Sequence, residues 1–147
     1  MSDTIGTATF RPQNDLEVEL VRAAHEPGFR PTFLRELLDA DVYLALLLGD
    51  GGRIESGPGG EAVIPPGARL EVGSVERGGE RALPFFSAPQ RAQVFYRQDH
   101  VIAPDKARQV FARHPGTRFV LNPRSDYALD LEPADVAAML RGDFTAH

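Results

Sequence analysis

The segment 117–142, TRFVLNPRSDYALDLEPADVAAMLRG, constrains this chain more than any other. Phe119, Val120 and Leu121 form a short apolar run that Asn122 and Pro123 end. A residue before proline is biased toward extended geometry, and proline has no N–H to continue a ladder. Arg124, Ser125 and Asp126 supply a polar turn, and Tyr127 to Leu131 a second run. Pro133 suits the first turn of a helix, where its missing N–H has no helical partner to lose. Val136, Met139 and Leu140 fall on the inward face of that helix, and Gly142 lies past its end. The unit is strand, turn, strand and capped helix, with Leu121 and Leu131 expected inside. None of its residues belongs to a catalytic or ligand-binding motif.

Upstream, Asn14 and Glu17 have capping-box spacing. Leu16, Leu20, Ala23 and Ala24 make the apolar face of the helix they open, with Glu17, Glu19 and Arg22 off it. Residues 1–13 read as a loosely ordered tail until Phe10 docks. A second helix starts near Pro31 and Thr32 and buries Phe33, Leu34, Leu37 and Leu38. Val42 to Leu48 is apolar on both parities, which predicts a central strand covered on both faces. Gly49 to Gly60 holds six glycines and a proline and reads as a mobile loop. Arg69 to Val75 reads as one half-buried strand, returned through an Arg77–Glu80 hairpin turn to a partner strand at Arg81 to Phe86. Ser87 and Gln90 have a second capping-box spacing, opening a helix to about Gln98. Pro104 opens another, with Ala107, Val110 and Phe111 on its buried stripe and His114 to Gly116 as its stop. The fold class is therefore α+β: a mainly antiparallel (mixed) sheet with helices packed on it, in one domain.

Charge and composition narrow the function classes. The net charge is -5, with a single lysine (Lys106), which disfavours a nucleic-acid binder. There is no cysteine, no basic and apolar leader, and no apolar run near the ~20 residues that span a bilayer. A cytoplasmic protein without membrane attachment is the expectation. Asp126, Asp130, Glu132 and Asp135 lack the glycine and terminal glutamate of an EF-hand loop, so they read as turn and cap residues rather than metal ligands. His25, His100, His114 and His147 have no metal-binding spacing. The glycine-rich loop lacks the Gly-Lys-Ser/Thr ending of a phosphate loop. Neither cofactor nor metal is expected.

The order and spacing of several short patterns resemble the SseB family (enhanced serine sensitivity), specifically its N-terminal domain. The matching residues are Asn14, Leu16, Glu17, Leu20 and Ala23, then Phe33, Leu37 and Leu38, then Val42 and Tyr43. Leu83 to Ser87 follow, then Val120, Leu121, Asn122 and Pro123, and finally Leu131. The resemblance runs from about Phe10 to Leu140. It implies a non-catalytic bacterial module with no active-site residues to carry over. Many members of the family carry a second, C-terminal domain, and none is expected within these 147 residues.

The residues hardest to assign to architecture alone are at the Asn122-Pro123 turn. Asn122, Arg124 and Tyr127, displayed beside Ser87 at a sheet edge, would make a recognition surface, since Arg and Tyr are enriched at interface hot spots. The plain alternative is that Asn122 only shapes the turn. The preferred functional expectation is an interaction or regulatory module with a protein partner. A second is a small-molecule sensor with an apolar pocket between helix and sheet. An enzyme ranks third, because no nucleophile, base and oxyanion donor come together in the sequence.

Overall fold

Asn14 sits in extended geometry before the first helix, and its Oδ1 accepts the Glu17 N–H at 2.9 Å. That cap starts α1 (Asp15–His25), and a 3-10 turn at Pro27–Phe29 leads into α2 (Arg30–Leu38). The chain continues as β1 (Asp41–Leu48), β2 (Glu55–Ser56), β3 (Ala62–Val63), β4 (Leu70–Val72), β5 (Val75–Arg77) and β6 (Glu80–Phe85). Then come α3 (Pro89–Phe95), β7 (Val101–Lys106), α4 (Ala107–Arg113), β8 (Phe119–Leu121), β9 (Leu129–Leu131) and α5 (Pro133–Leu140). The structure, a computed structural model, describes residues 10–48, 54–59, 62–63, 67, 69–96 and 100–144.

One sheet has the order β4-β1-β7, so β1 is central, as its apolar content requires. A second has the order β5-β6-β8-β9, and β2 and β3 pair by themselves. Every pairing is antiparallel except β6 with β8. Tyr43 and Phe86 exchange backbone hydrogen bonds of 2.8 and 2.9 Å and so join the two larger sheets. The fold is α+β, as the sequence implies.

Alternation assigns the faces. Val42, Leu44, Leu83, Phe85, Phe119, Leu121 and Leu131 point into one core with Leu20 of α1, Phe33 and Leu37 of α2, Val110 and Phe111 of α4, and Val136 and Met139 of α5. Phe85, Phe111 and Phe119 meet edge to face there, with centroids 4.9 to 6.0 Å apart. The opposite parity, including Ala45, Leu47, Ala82, Val120 and Phe86, makes an outer face, where Phe86 packs against Phe95 and Tyr96 from the end of α3.

Several expectations need correction. Arg69 to Val75 is not one strand. The chain breaks at Gly73, so β4 pairs with β1 while β5 pairs with β6. A Cβ at Gly73 would overlap the Tyr96 hydroxyl and come within 2.9 Å of Leu47 Cδ1. Leu70 is therefore not half-buried but exposed. Pro104 lies inside β7 rather than at a helix start. It stands opposite Tyr43, whose N–H and C=O turn the other way to Phe86, so the pair needs no N–H from the proline. Ala88, not Ser87, caps α3, without a side-chain bond, and the helix ends at Phe95. Leu140 is exposed, and Ala138 takes the inward position beside Met139. Glu17 is fully buried rather than off the apolar face, and Ala24, expected on that face, is exposed.

Of the tail, residues 1–9 lie outside the described residues, and Phe10 packs against the core. Of the glycine-rich loop, 49–53 and 60 lie outside them, while Glu55–Ser56 pairs with Ala62–Val63. The Arg77–Glu80 turn holds Gly78 and Gly79 at φ 61° and 85°, the two left-handed residues of a tight hairpin. Among the described residues no helix is long and apolar enough to cross a membrane.

Candidate functional site

Parallel pairing of β6 with β8 decides where the suspected residues go. Phe85 stands opposite Leu121, so the chain leaves both strands at one end, and the Asn122 N–H donates to the Phe85 carbonyl at 2.9 Å. Ser87 and Asn122 then meet. The Asn122 Oδ1 accepts the Ser87 N–H at 3.1 Å, and its Nδ2 donates to Ser87 Oγ at 2.8 Å. Ser87 Oγ in turn donates to the Glu17 carboxylate.

Glu17 is the centre of this cluster. Arg91 of α3 grips it with both arms, Nε to Oε2 at 3.0 Å and Nη2 to Oε1 at 2.8 Å. The Gln13 N–H adds a bond of 2.9 Å, and Asn14 Nδ2 donates to the Ser87 carbonyl at 2.8 Å. Burial by itself pushes the Glu17 carboxyl up. The bonds from Arg91, Ser87 and Gln13, with the Arg91 charge, together outweigh it and hold the carboxyl below its ordinary range. Arg91 also donates to the Arg11 carbonyl at 2.7 Å and lies 3.9 Å over the Phe10 ring. The network ties α1, α3, the ends of β6 and β8, and residues 10–14 together.

This geometry divides the four residues singled out from sequence. Ser87 and Asn122 are 0% and 1% exposed, so they are not displayed at a sheet edge; they are buried partners. The Ser87 hydroxyl is used as donor and as acceptor, which makes it a structural hydroxyl. Tyr127 is half-buried, edge-on to Phe10 at 5.0 Å, and its hydroxyl is 3.0 Å from His25 Nε2. Arg124 alone is exposed. Asn122 and Arg124 have φ of 49° and 67°, in the left-handed region that side chains other than glycine rarely occupy. Asn122 is therefore not in the extended geometry expected before Pro123; its buried side chain, bonded to Ser87, holds it in the left-handed one. The second left-handed residue, Arg124, turns back over the ring of Phe95, at 5.0 Å.

Arg124 thereby borders a cleft of about 540 Å³ whose other walls are Ser74 to Arg77, Phe95, Tyr96 and Pro123. No local signal marks that cleft, because its walls come from three separate segments. A second cleft, of about 580 Å³, is lined by Arg30, Arg77, Arg118 and four acids. Its charges answer one another: Arg77 holds Asp130 with bonds of 3.0 and 2.8 Å, and Arg118 lies between Glu80 and Glu132. Glu132 and Asp135 form a capping box on α5, so these two act as cap residues while Asp130 and Glu132 serve as ion-pair partners. Among the described residues no group of three or more His, Asp or Glu could hold a metal ion.

Residues 16–138 match the sequence profile of the SseB protein N-terminal domain. The chain belongs to the SseB family. The SseB proteins of Escherichia coli (strain K12) and Shigella flexneri are each 26% identical to it over 129 residues. Those 129 residues are 87% of this chain but 46% of either relative, so the chain spans about half the length of the curated SseB proteins it matches. No solved structure matches it. The buried network falls on SseB-matching sequence, since Glu17, Ser87, Arg91 and Asn122 all lie within the matched span.

Proposed function

We propose that this SseB domain is a non-catalytic cytoplasmic interaction module with a regulatory role, and that the cleft beside Arg124 is its working surface for a protein partner. The observation that carries this reading is the backbone at the turn. A left-handed conformation at a residue other than glycine costs about 1–2 kcal/mol, and Arg124 adopts it in an exposed turn where a glycine would avoid the cost. Buried Asn122 fixes the turn, and the result is a guanidinium held over an aromatic ring at the lip of a cleft. Arg and aromatic side chains are the types that anchor interfaces.

The test is affinity capture from native lysate, read by mass spectrometry, with the wild-type chain and with Arg124→Ala. The variant should melt within about 1 kcal/mol of wild type, because it loses only an exposed cation–π contact. It should also lose the captured partner. Equal capture by both chains, or no specific capture by either, overturns the reading.

A further inference from the structure

The cleft borders a sheet edge with open backbone groups. β5 ends its sheet, with β6 on one side and no strand on the other among the described residues. Arg77 and Glu80 flank a two-residue turn, and such flanking residues exchange their hydrogen bonds with each other. One residue back, Glu76 pairs with Arg81 at a position where both turn their N–H and C=O outward. Ser74, Val75, Glu76 and Arg77 all line the cleft. Consecutive strand residues point to opposite faces, so a cleft that touches all four follows the free edge of the strand.

Its charge is nearly balanced, with one exception. Arg77 is held by Asp130, and Glu76 stands across the strand pair from Arg81. Among the described residues Arg124 has a ring beneath it and no carboxylate within ion-pair distance. That leaves one cation beside two aromatic side chains, Phe95 and Tyr96, in a chain of net charge -5.

We propose that an extended segment of a partner protein, carrying a carboxylate and an apolar side chain, adds as a strand to the free edge of β5. Its backbone pairs with the Glu76 N–H and C=O, its carboxylate meets Arg124, and its apolar side chain lies against Phe95 and Tyr96. This rests on the interaction reading above and names the chemistry of the partner.

The probe is a set of labelled seven-residue peptides of alternating valine and threonine. The central residue is Glu, Gln or Lys, and each peptide is titrated against the full chain by fluorescence anisotropy. The Glu peptide should bind about tenfold more tightly than the Lys peptide. Arg124→Ala should erase that difference. Glu76→Pro removes only an outward N–H from an edge strand, so β5 keeps its pairing with β6 while every peptide weakens roughly three- to tenfold. Glu76→Gln, which keeps the N–H, should not weaken binding. Methylating the peptide nitrogens one at a time tests the same bonds without altering the protein, and loss should appear at the one nitrogen that donates to the Glu76 carbonyl and not at its neighbours. No binding at about 1 mM peptide, tolerance of every N-methyl group, or preference for Lys overturns the added strand. Arg124-dependent capture from lysate would survive that outcome, so the two readings fail separately.

Discussion

Asn122 does two jobs that a single substitution can separate. Its side chain satisfies the Ser87 N–H and hydroxyl, and its backbone occupies a left-handed conformation. Asn is a residue type that tolerates such a φ. Asn122→Ala loses both features, whereas Asn122→Gly loses the hydrogen bonds but relaxes the backbone. Both variants should be destabilised in urea melts, since a buried N–H left unpaired costs about 1–3 kcal/mol. The Ala variant should be the worse by about 1 kcal/mol, the backbone contribution. Equal stabilities would mean that the left-handed turn carries no cost here. The turn could be read from Asn122-Pro123 in the sequence. Its partner could not, because Ser87 lies 35 positions away and meets it only through the parallel pairing of β6 and β8.

At the scale of elements, the break between β4 and β5 sets the shape of the sheets. Arg69 to Val75 carries a period-two pattern, and nothing local requires it to stop at Gly73. It stops because the Gly73 N–H joins β1 through the Ala45 carbonyl, at 3.3 Å, while the end of α3 presses Tyr96 onto the same spot. Gly73→Ala should cost roughly 2–3 kcal/mol by overpacking against Tyr96 and Leu47. Tyr96→Phe removes the nearest atom, a buried hydroxyl with no hydrogen-bond partner among the described residues. In the Gly73→Ala background it should recover part of the loss in a thermal-melt double-mutant cycle. Additive effects would show that the two sites do not touch. Pro104 gives the opposite lesson. A proline that looks like a helix start lies in an edge strand, at a position that requires no N–H.

For the whole molecule, stability should fall away at both ends of the pH scale. Hydrogen bonds from Arg77 and Arg113 hold Asp130 and Asp105 below the usual carboxylate range, and Glu17 is lowered by its network despite burial. An acid whose folded-state value is depressed contributes stability above its unfolded-state value, and that contribution is lost as pH falls through the folded-state value. The melting temperature should therefore drop below about pH 5. Glu17→Gln should lower it at neutral pH by removing the buried carboxylate from Arg91, and should flatten the acid limb. An unchanged acid limb would place the pH dependence elsewhere. At the alkaline end, burial pushes the Tyr96 phenol up to about 12. The folded chain keeps that proton longer than the unfolded chain, so stability also declines as pH climbs from about 10.

The sequence by itself determined whatever rests on short-range forces: the Asn14 cap, the apolar stripes of α2 and α4, the Arg77–Glu80 turn and the capped helix that closes the chain. Each follows from side chains within a few positions of one another. Their order also sufficed to point to the SseB family. Tertiary structure decided whatever depends on pairing and desolvation between distant segments. It buried Glu17, which local periodicity places with its charged neighbours, because Arg91, Ser87 and Gln13 supply bonds that a carboxylate otherwise takes from water. It drew Asn122 and Ser87 inward and left Arg124 outside. The cleft at β5 exists only because three segments, each unremarkable alone, come together around Gly73 and the end of α3. Pairings across such distances carry a loop-closure cost that no local pattern encodes, so the chain could show its elements but not which of them would meet.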